Sequence, residues 1–132
     1  MIEAGIVALA QADAGVKALC PVGGFCATLP KGAILPSWTY LVVSRVPDYT
    51  LSGRNKLTMT RLQIDCFGQS AADAINLSEA IREVLSGYQG TLPDADATVV
   101  QAAFHTDTVD FFDDLARTSR RMIEFEIHFS QP

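Results

Sequence analysis

Three groups of residues in this 132-residue chain carry side chains that could do chemistry. Cys66 with His105 or His128 would give a thiolate nucleophile activated by an imidazole, partners that meet only in space. Cys66, however, alternates with Leu62 and Ile64 on the apolar side of a strand-like run, and burial makes a thiol inert. His128 falls on the polar side of its own run, so both read as structural residues. Asp107, Asp110, Asp113 and Asp114 could suggest a cation loop, but calcium loops need a turn glycine and usually a closing glutamate. This stretch has no glycine and is interrupted by Phe111-Phe112, so it reads as a solvated acidic connection. Arg117, Arg120 and Arg121 could hold a phosphate, yet they follow the acidic stretch directly and are expected to pair with it. Gly23-Gly24 alone makes no phosphate loop, and the histidines have no cysteine pair at zinc spacing. No catalytic, cofactor-binding or metal-binding residue is therefore nominated, and the chain is expected not to be an enzyme.

Composition narrows the class without naming the function. Apolar residues make up 48% and charged residues 19%, which excludes a disordered chain, and the net charge of -5 argues against a basic nucleic-acid module. The length predicts one domain over residues 1–132. Residues 1–66 carry six basic and four acidic side chains, whereas residues 67–132 carry four and eleven, so one negative face is expected. Cys20, Cys26 and Cys66 form no disulfide framework; a Cys20–Cys26 bridge is conceivable, but free thiols in a reducing compartment are the preferred reading. The N-terminus lacks the positive charge of a secretory signal, Leu19 is too bulky for the residue before a lipidated cysteine, and no run reaches the roughly 20 apolar residues of a membrane span.

The elements that must position these residues follow from periodicity. Ile2, Ile6, Leu9, Val16 and Leu19 predict a first helix over 2–19, with Asp13 interrupting its stripe. Phe25 to Leu29 is a weak strand, Trp38 to Val46 a strand, residues 47–56 a polar connection too long for a tight hairpin, and Leu57 to Phe67 a strand. Ser70 caps a second helix that runs to about Ser86 and stops at Gly87. Thr98 to Thr106 is a strand, 107–118 an acidic connection, and Ile123, Phe125, Ile127 and Phe129 alternate along a final strand. The order is α-β-β-β-α-β-β. The fold class is α+β, a mostly antiparallel sheet of four to five strands with two helices packed on one face.

A second source enters at the connection 47–56 and its flanks. Leu29-Pro30…Leu35-Pro36, then Val43-Ser44-Arg45, then Asp48-Tyr49-Thr50-Leu51-Ser52-Gly53, then Arg61-Leu62-Gln63-Ile64-Asp65-Cys66-Phe67-Gly68, the alanine-rich second helix and the alternating last strand stand in an order that resembles the phage tail completion or tail terminator (neck) proteins of long-tailed phages and phage-derived particles. The resemblance covers nearly the whole chain. It implies a virion structural protein that forms a ring, usually of six subunits, capping the head-proximal end of the tail tube and joining tail to head. It implies as partners further copies of the chain, the tail tube protein and the head–tail connector protein. DNA would pass through the lumen without specific binding, no membrane or cofactor would be involved, and assembly would take place in the bacterial cytoplasm.

Within that reading, Asp48, Tyr49, Leu51 and Arg54 are the expected inter-subunit contacts. Asp110, Phe111, Phe112, Asp113 and Asp114 are expected to form a partner-contact or lumen loop, unless one of the rings folds back on the core. A head-side connector of the neck remains an alternative within the class. A small-ligand or enzyme domain using Cys66, His105 or His128, and a monomeric adaptor, are alternatives from other classes.

Overall fold

The computed structural model describes residues 2–51, 53–114 and 118–130, with side chains described for these except at 48–50 and 53–56. In chain order the elements are α1 (Ile2–Ala12), α2 (Ala14–Leu19), β1 (Gly24–Cys26), β2 (Ser37–Thr50), β3 (Gly53–Gly68), α3 (Ala71–Leu85), β4 (Gly90–Thr91), β5 (Val99–Asp113) and β6 (Thr118–Ser130). The strands form one sheet in the order β1-β2-β3-β6-β5-β4. Only β1 runs parallel to its neighbour; all other pairs are antiparallel. The α+β class is as expected. The sheet has six strands rather than four or five and is mixed, and three helices stand where two were expected.

The core forms where period-two strands meet period-3.6 helices. Ile123, Phe125, Ile127 and Phe129 of β6 are all buried, as are Leu62, Ile64 and Cys66 beside them on β3. Ile2, Ile6 and Ala10 of α1 and Leu77, Ile81 and Leu85 of α3 cover that face. Burying a side chain of this size contributes about 1.5–3 kcal/mol, so β6 is a main source of stability.

The first helix is two helices. Asp13, the residue that broke the apolar stripe, takes an extended conformation, and its carboxylate accepts from the N–H groups of Gly15 at 3.0 Å and Val16 at 3.1 Å. A carboxylate capping α2 outweighs the continuity of one helix, because it satisfies donors that a helix start leaves bare. Ser70 caps α3 as expected, accepting from the Asp73 N–H at 3.2 Å. Gly87 follows the helix at φ +75°, the left-handed region where glycine carries no Cβ penalty. At Gly68 a Cβ would stand 2.6 Å from the Ala74 nitrogen, so the turn from β3 into α3 closes only on a glycine.

Both expected connections are hairpins. β2 continues through the stretch read as a loop, with Pro47 opposite Thr58, Tyr49 opposite Arg54 and Thr50 opposite Gly53. β5 likewise continues to Asp113, which pairs with Thr118. The physical reason is the same at both ends. These strand ends run past the helices, so neither face must be apolar and the alternation that marks a strand is absent. The two tips lie at opposite ends of the sheet. The β2–β3 tip extends about 13 Å beyond the last described pair of β3 with β6, Leu57 and Ser130, at roughly 3.3 Å per residue. The β5–β6 tip lies past the other end of β3, where Gly68 pairs with Ser119.

A polar bridge fixes the helices to the sheet. The Trp38 indole is fully buried and donates to Gln11 Oε1 at 3.0 Å, while Gln11 Nε2 donates to the Cys20 carbonyl at 3.1 Å. Gln11→Ala leaves a buried donor and acceptor unpaired and is expected to cost about 1–3 kcal/mol, read as a lowered midpoint in urea or thermal unfolding with the fold retained.

Candidate assembly interface

Cys66 and His128 lie on opposite faces of the sheet, and His105, on the Cys66 face, is set apart from it along the strands. Cys66 lies on the helix-covered face of β3, where burial pushes its thiol well above the ordinary range, with the neighbouring Asp65 charge adding to the effect. A thiol held protonated is no nucleophile. His128 belongs to the opposite face of β6, 3.4 Å from Glu126. His105 sits at a bulge of β5, its Nε2 2.9 Å from the Asp107 carbonyl and 2.8 Å from Thr108 Oγ1. It pairs with Phe125 while Cys66 pairs with Arg121, a separation along β6 of about 13 Å. All three cysteines are free. Among the described residues no group of three or more His, Cys, Asp or Glu side chains could hold a metal. Among the described residues no helix is long and apolar enough to cross a membrane.

The structure offers exposed surfaces at both ends of the sheet. Leu51, one of the expected contacts, is fully exposed at the β2–β3 turn. Asp48, Tyr49 and Arg54 are on the paired strand ends beside it, and their side chains lie outside the described residues. At the other end of the sheet Phe111 and Phe112 are exposed, so neither ring is buried in the core. As neighbours on one strand they point to opposite faces. The Phe111 ring covers the Arg120 guanidinium at 4.2 Å, a cation–π contact. Phe111 and Phe112 are among the residues that line a groove of about 490 Å³ with Ser70, Ala71, Ala74 and Ile75 at the start of α3.

The basic cluster pairs with acidic side chains, as the net charge suggested. Arg121 donates to both carboxylate oxygens of Asp110, at 2.7 and 3.1 Å, and reaches Glu79 of α3 at 3.5 Å. It therefore ties the β5–β6 arm to the helix. Arg120 stands 3.7 Å from Asp65, which accepts from Gln63 at 2.9 Å. Arg117 lies outside the described residues. The helix-free face of the sheet carries Asp65, Asp107, Glu124 and Glu126 against Arg61 and Arg120, and it is net acidic.

Exposed apolar residues on β2 and β5 went unnominated in the sequence. Leu41, Val43, Val46 and Phe104 are 45–53% exposed. The signal was present in Leu41-Val42-Val43, a run without alternation, which is what a strand with contacts on both faces shows.

The Arg121 hydrogen bonds hold the Asp110 carboxyl below the usual carboxylate range, against a smaller opposing effect of burial. A lowered native pKa contributes stability above the unfolded value and loses it as pH falls through the native one. Asp110 is 62% exposed, so the pair is screened. Asp110→Asn is therefore expected to cost about 0.2–1 kcal/mol near pH 7. The difference from the parent should shrink in thermal melts as the pH falls below the ordinary carboxylate range.

The comparisons with known proteins agree with this picture. A chain from the virion of a native gene transfer agent (GTA) particle shares the fold at a TM-score of 0.70 and 15% identity, over 98% of this chain and 94% of that one. A second solved chain aligns at a TM-score of 0.55 and 11% identity, over 98% and 95%. No curated protein matches the chain. The family model of tail completion protein gp17 matches residues 4–130. That match spans both hairpins, all three helices and the uncovered strands, and by it the chain belongs to the tail completion protein gp17 family, a family of structural virion proteins of the phage tail rather than enzymes.

Proposed function

We propose that this protein is a tail terminator, a ring of identical subunits, six in number, that caps the head-proximal end of the tail tube. The observation that carries the proposal is the family match over residues 4–130, since completing a tail requires a part that ends its growth. The ring takes the tail tube protein on one side and the head–tail connector protein on the other, at the neck, and assembles in the host cytoplasm. A ring needs a heterologous contact, with different surfaces meeting on the two partners. The two sides of the sheet, with β2 toward one and β5 toward the other, supply such a pair of surfaces. Asp48, Tyr49, Leu51 and Arg54 make the contact from one tip, and Asp110, Phe111, Phe112, Asp113 and Asp114 form the partner surface at the other.

The acidic, helix-free face of the sheet lines the lumen. Like charge on wall and phosphate keeps DNA from binding as it passes.

Light scattering across protein concentration, with and without purified tail tubes, tests the proposal. The expected result is a closed ring, alone or only on tubes. Tyr49→Ala and Arg54→Ala are each expected to weaken ring formation at least tenfold without altering the monomer's fold. A monomer under every condition, with no tube binding, would refute the ring.

A further inference from the structure

The two outer long strands are each covered over only part of their length. β1 pairs with Trp38 to Tyr40 of β2, and no described strand lies beside Leu41–Thr50. On the far side β4 pairs with Val99 and Val100 of β5, and the Ala103 carbonyl accepts from the Gly87 N–H. From Phe104 to Phe112 no described strand covers β5. These stretches match in length, at about 30 Å each for 3.3 Å per residue. Long bare edges are the feature that monomeric proteins usually blunt, because their free N–H and C=O groups template pairing with another chain.

Side-chain exposure singles out the same stretches. Of the nine large apolar residues exposed among the described residues, six are on them: Leu41, Val43 and Val46 on β2, and Phe104, Phe111 and Phe112 on β5. Apolar exposure concentrated along two bare edges marks surfaces that lose water when they meet.

We infer that the bare edge of β2 in one copy pairs with the bare edge of β5 in the next, joining the sheets of successive copies into one continuous wall. The inference rests on the ring proposed above and identifies its principal seam. Copies that turn the same face inward keep their strand directions. β2 runs antiparallel to β3, β3 to β6 and β6 to β5, so the new pair is also antiparallel. The occupant of each edge is thus a second copy, and the contact is heterologous, as closure by rotation requires.

The seam also sets a stagger. The bare part of β2 lies toward the β2–β3 tip and that of β5 toward the opposite tip. Val46 is level with His128 of its own sheet, through Met59, and Val109 is level with Met122. Both valines belong to the helix-free face. Val46 and Val109 are residues of that face close to the middle of their stretches, and setting them opposite each other shifts neighbours by about six residues, roughly 20 Å along the strand. A closed sheet requires such a shift, because its strands must tilt about the barrel axis.

Disulfide trapping tests the seam. Val46→Cys and Val109→Cys are combined in a Cys26→Ser background, assembled with tail tubes and oxidised. The expected result is a ladder of covalent oligomers on a non-reducing gel, absent from either single variant because Val46 meets Val109 and not itself. Rings that form by light scattering yet yield only the monomer band would overturn the seam and leave the ring standing. Failure of the parent protein to assemble under any condition would overturn both. As a second readout, Val46→Lys is expected to reduce assembly at least tenfold while the monomer's melting temperature stays within about 2 °C, as for other exposed sites. Unchanged assembly of that variant would count against the seam equally.

Discussion

The face of the sheet that carries Phe125 has to be kept from water, and only short helices are present to do it. α1, α2 and α3 cover the middle of β3 and β6, where Leu62, Ile64, Cys66, Ile123, Phe125 and Ile127 are buried. The strands are longer than that cover, with β3 running for 16 residues and β5 for 15. The excess length at both ends is freed from the core's demand for apolar alternation. It is held by backbone pairing, by the Arg121–Asp110 pair and by the Phe111–Arg120 contact. The tips, the groove beside α3 and the bare edges all follow from this mismatch between a long sheet and a small helical layer.

That mismatch explains why the chain has surfaces to offer. The Cys66 thiol belongs to the part that must stay dry, and burial holds it protonated. The charged side chains outside the core are largely spent on one another, as in Arg121 with Asp110 and Glu79, Arg61 with Glu124, and Arg45 with Glu3. What is left toward solvent is an acidic sheet face and a set of apolar edge residues. A structural virion protein, which is built into a larger particle, needs exposed surfaces for its neighbours.

Much of the fold could be read in the residues. β6 announced itself because one of its faces is buried along its whole length, which imposes strict alternation. α3 was bounded correctly by Ser70 and Gly87 because caps are local chemistry, settled within four residues. The division of α1 from α2 was harder: Asp13 was visible as an interruption, but whether a carboxylate kinks a helix or merely faces water depends on what packs beside it. The hairpin ends at 47–56 and 107–118 were unreadable as strands. With both faces wet, Pro47-Asp48-Tyr49 and Asp110-Phe111-Phe112-Asp113 carry no periodic signal, and only the partner strand defines them.

Taken alone, the sequence determined the α+β class, the core strand, the Ser70 cap and Gly87 stop of α3, the burial of Cys66, and, through the order of its short motifs, the family. These depend on interactions within a few residues, or on a pattern that one face of one element must obey. The tertiary structure decided the six-strand order, the parallel β1, the opposite placement of the two tips, and which apolar side chains stay exposed. Each of these is a relation between residues far apart in the chain. Leu41 and Phe104 look like ordinary core residues until the sheet order shows that no described strand lies beside them, because an edge is a property of the assembled sheet and of no single segment.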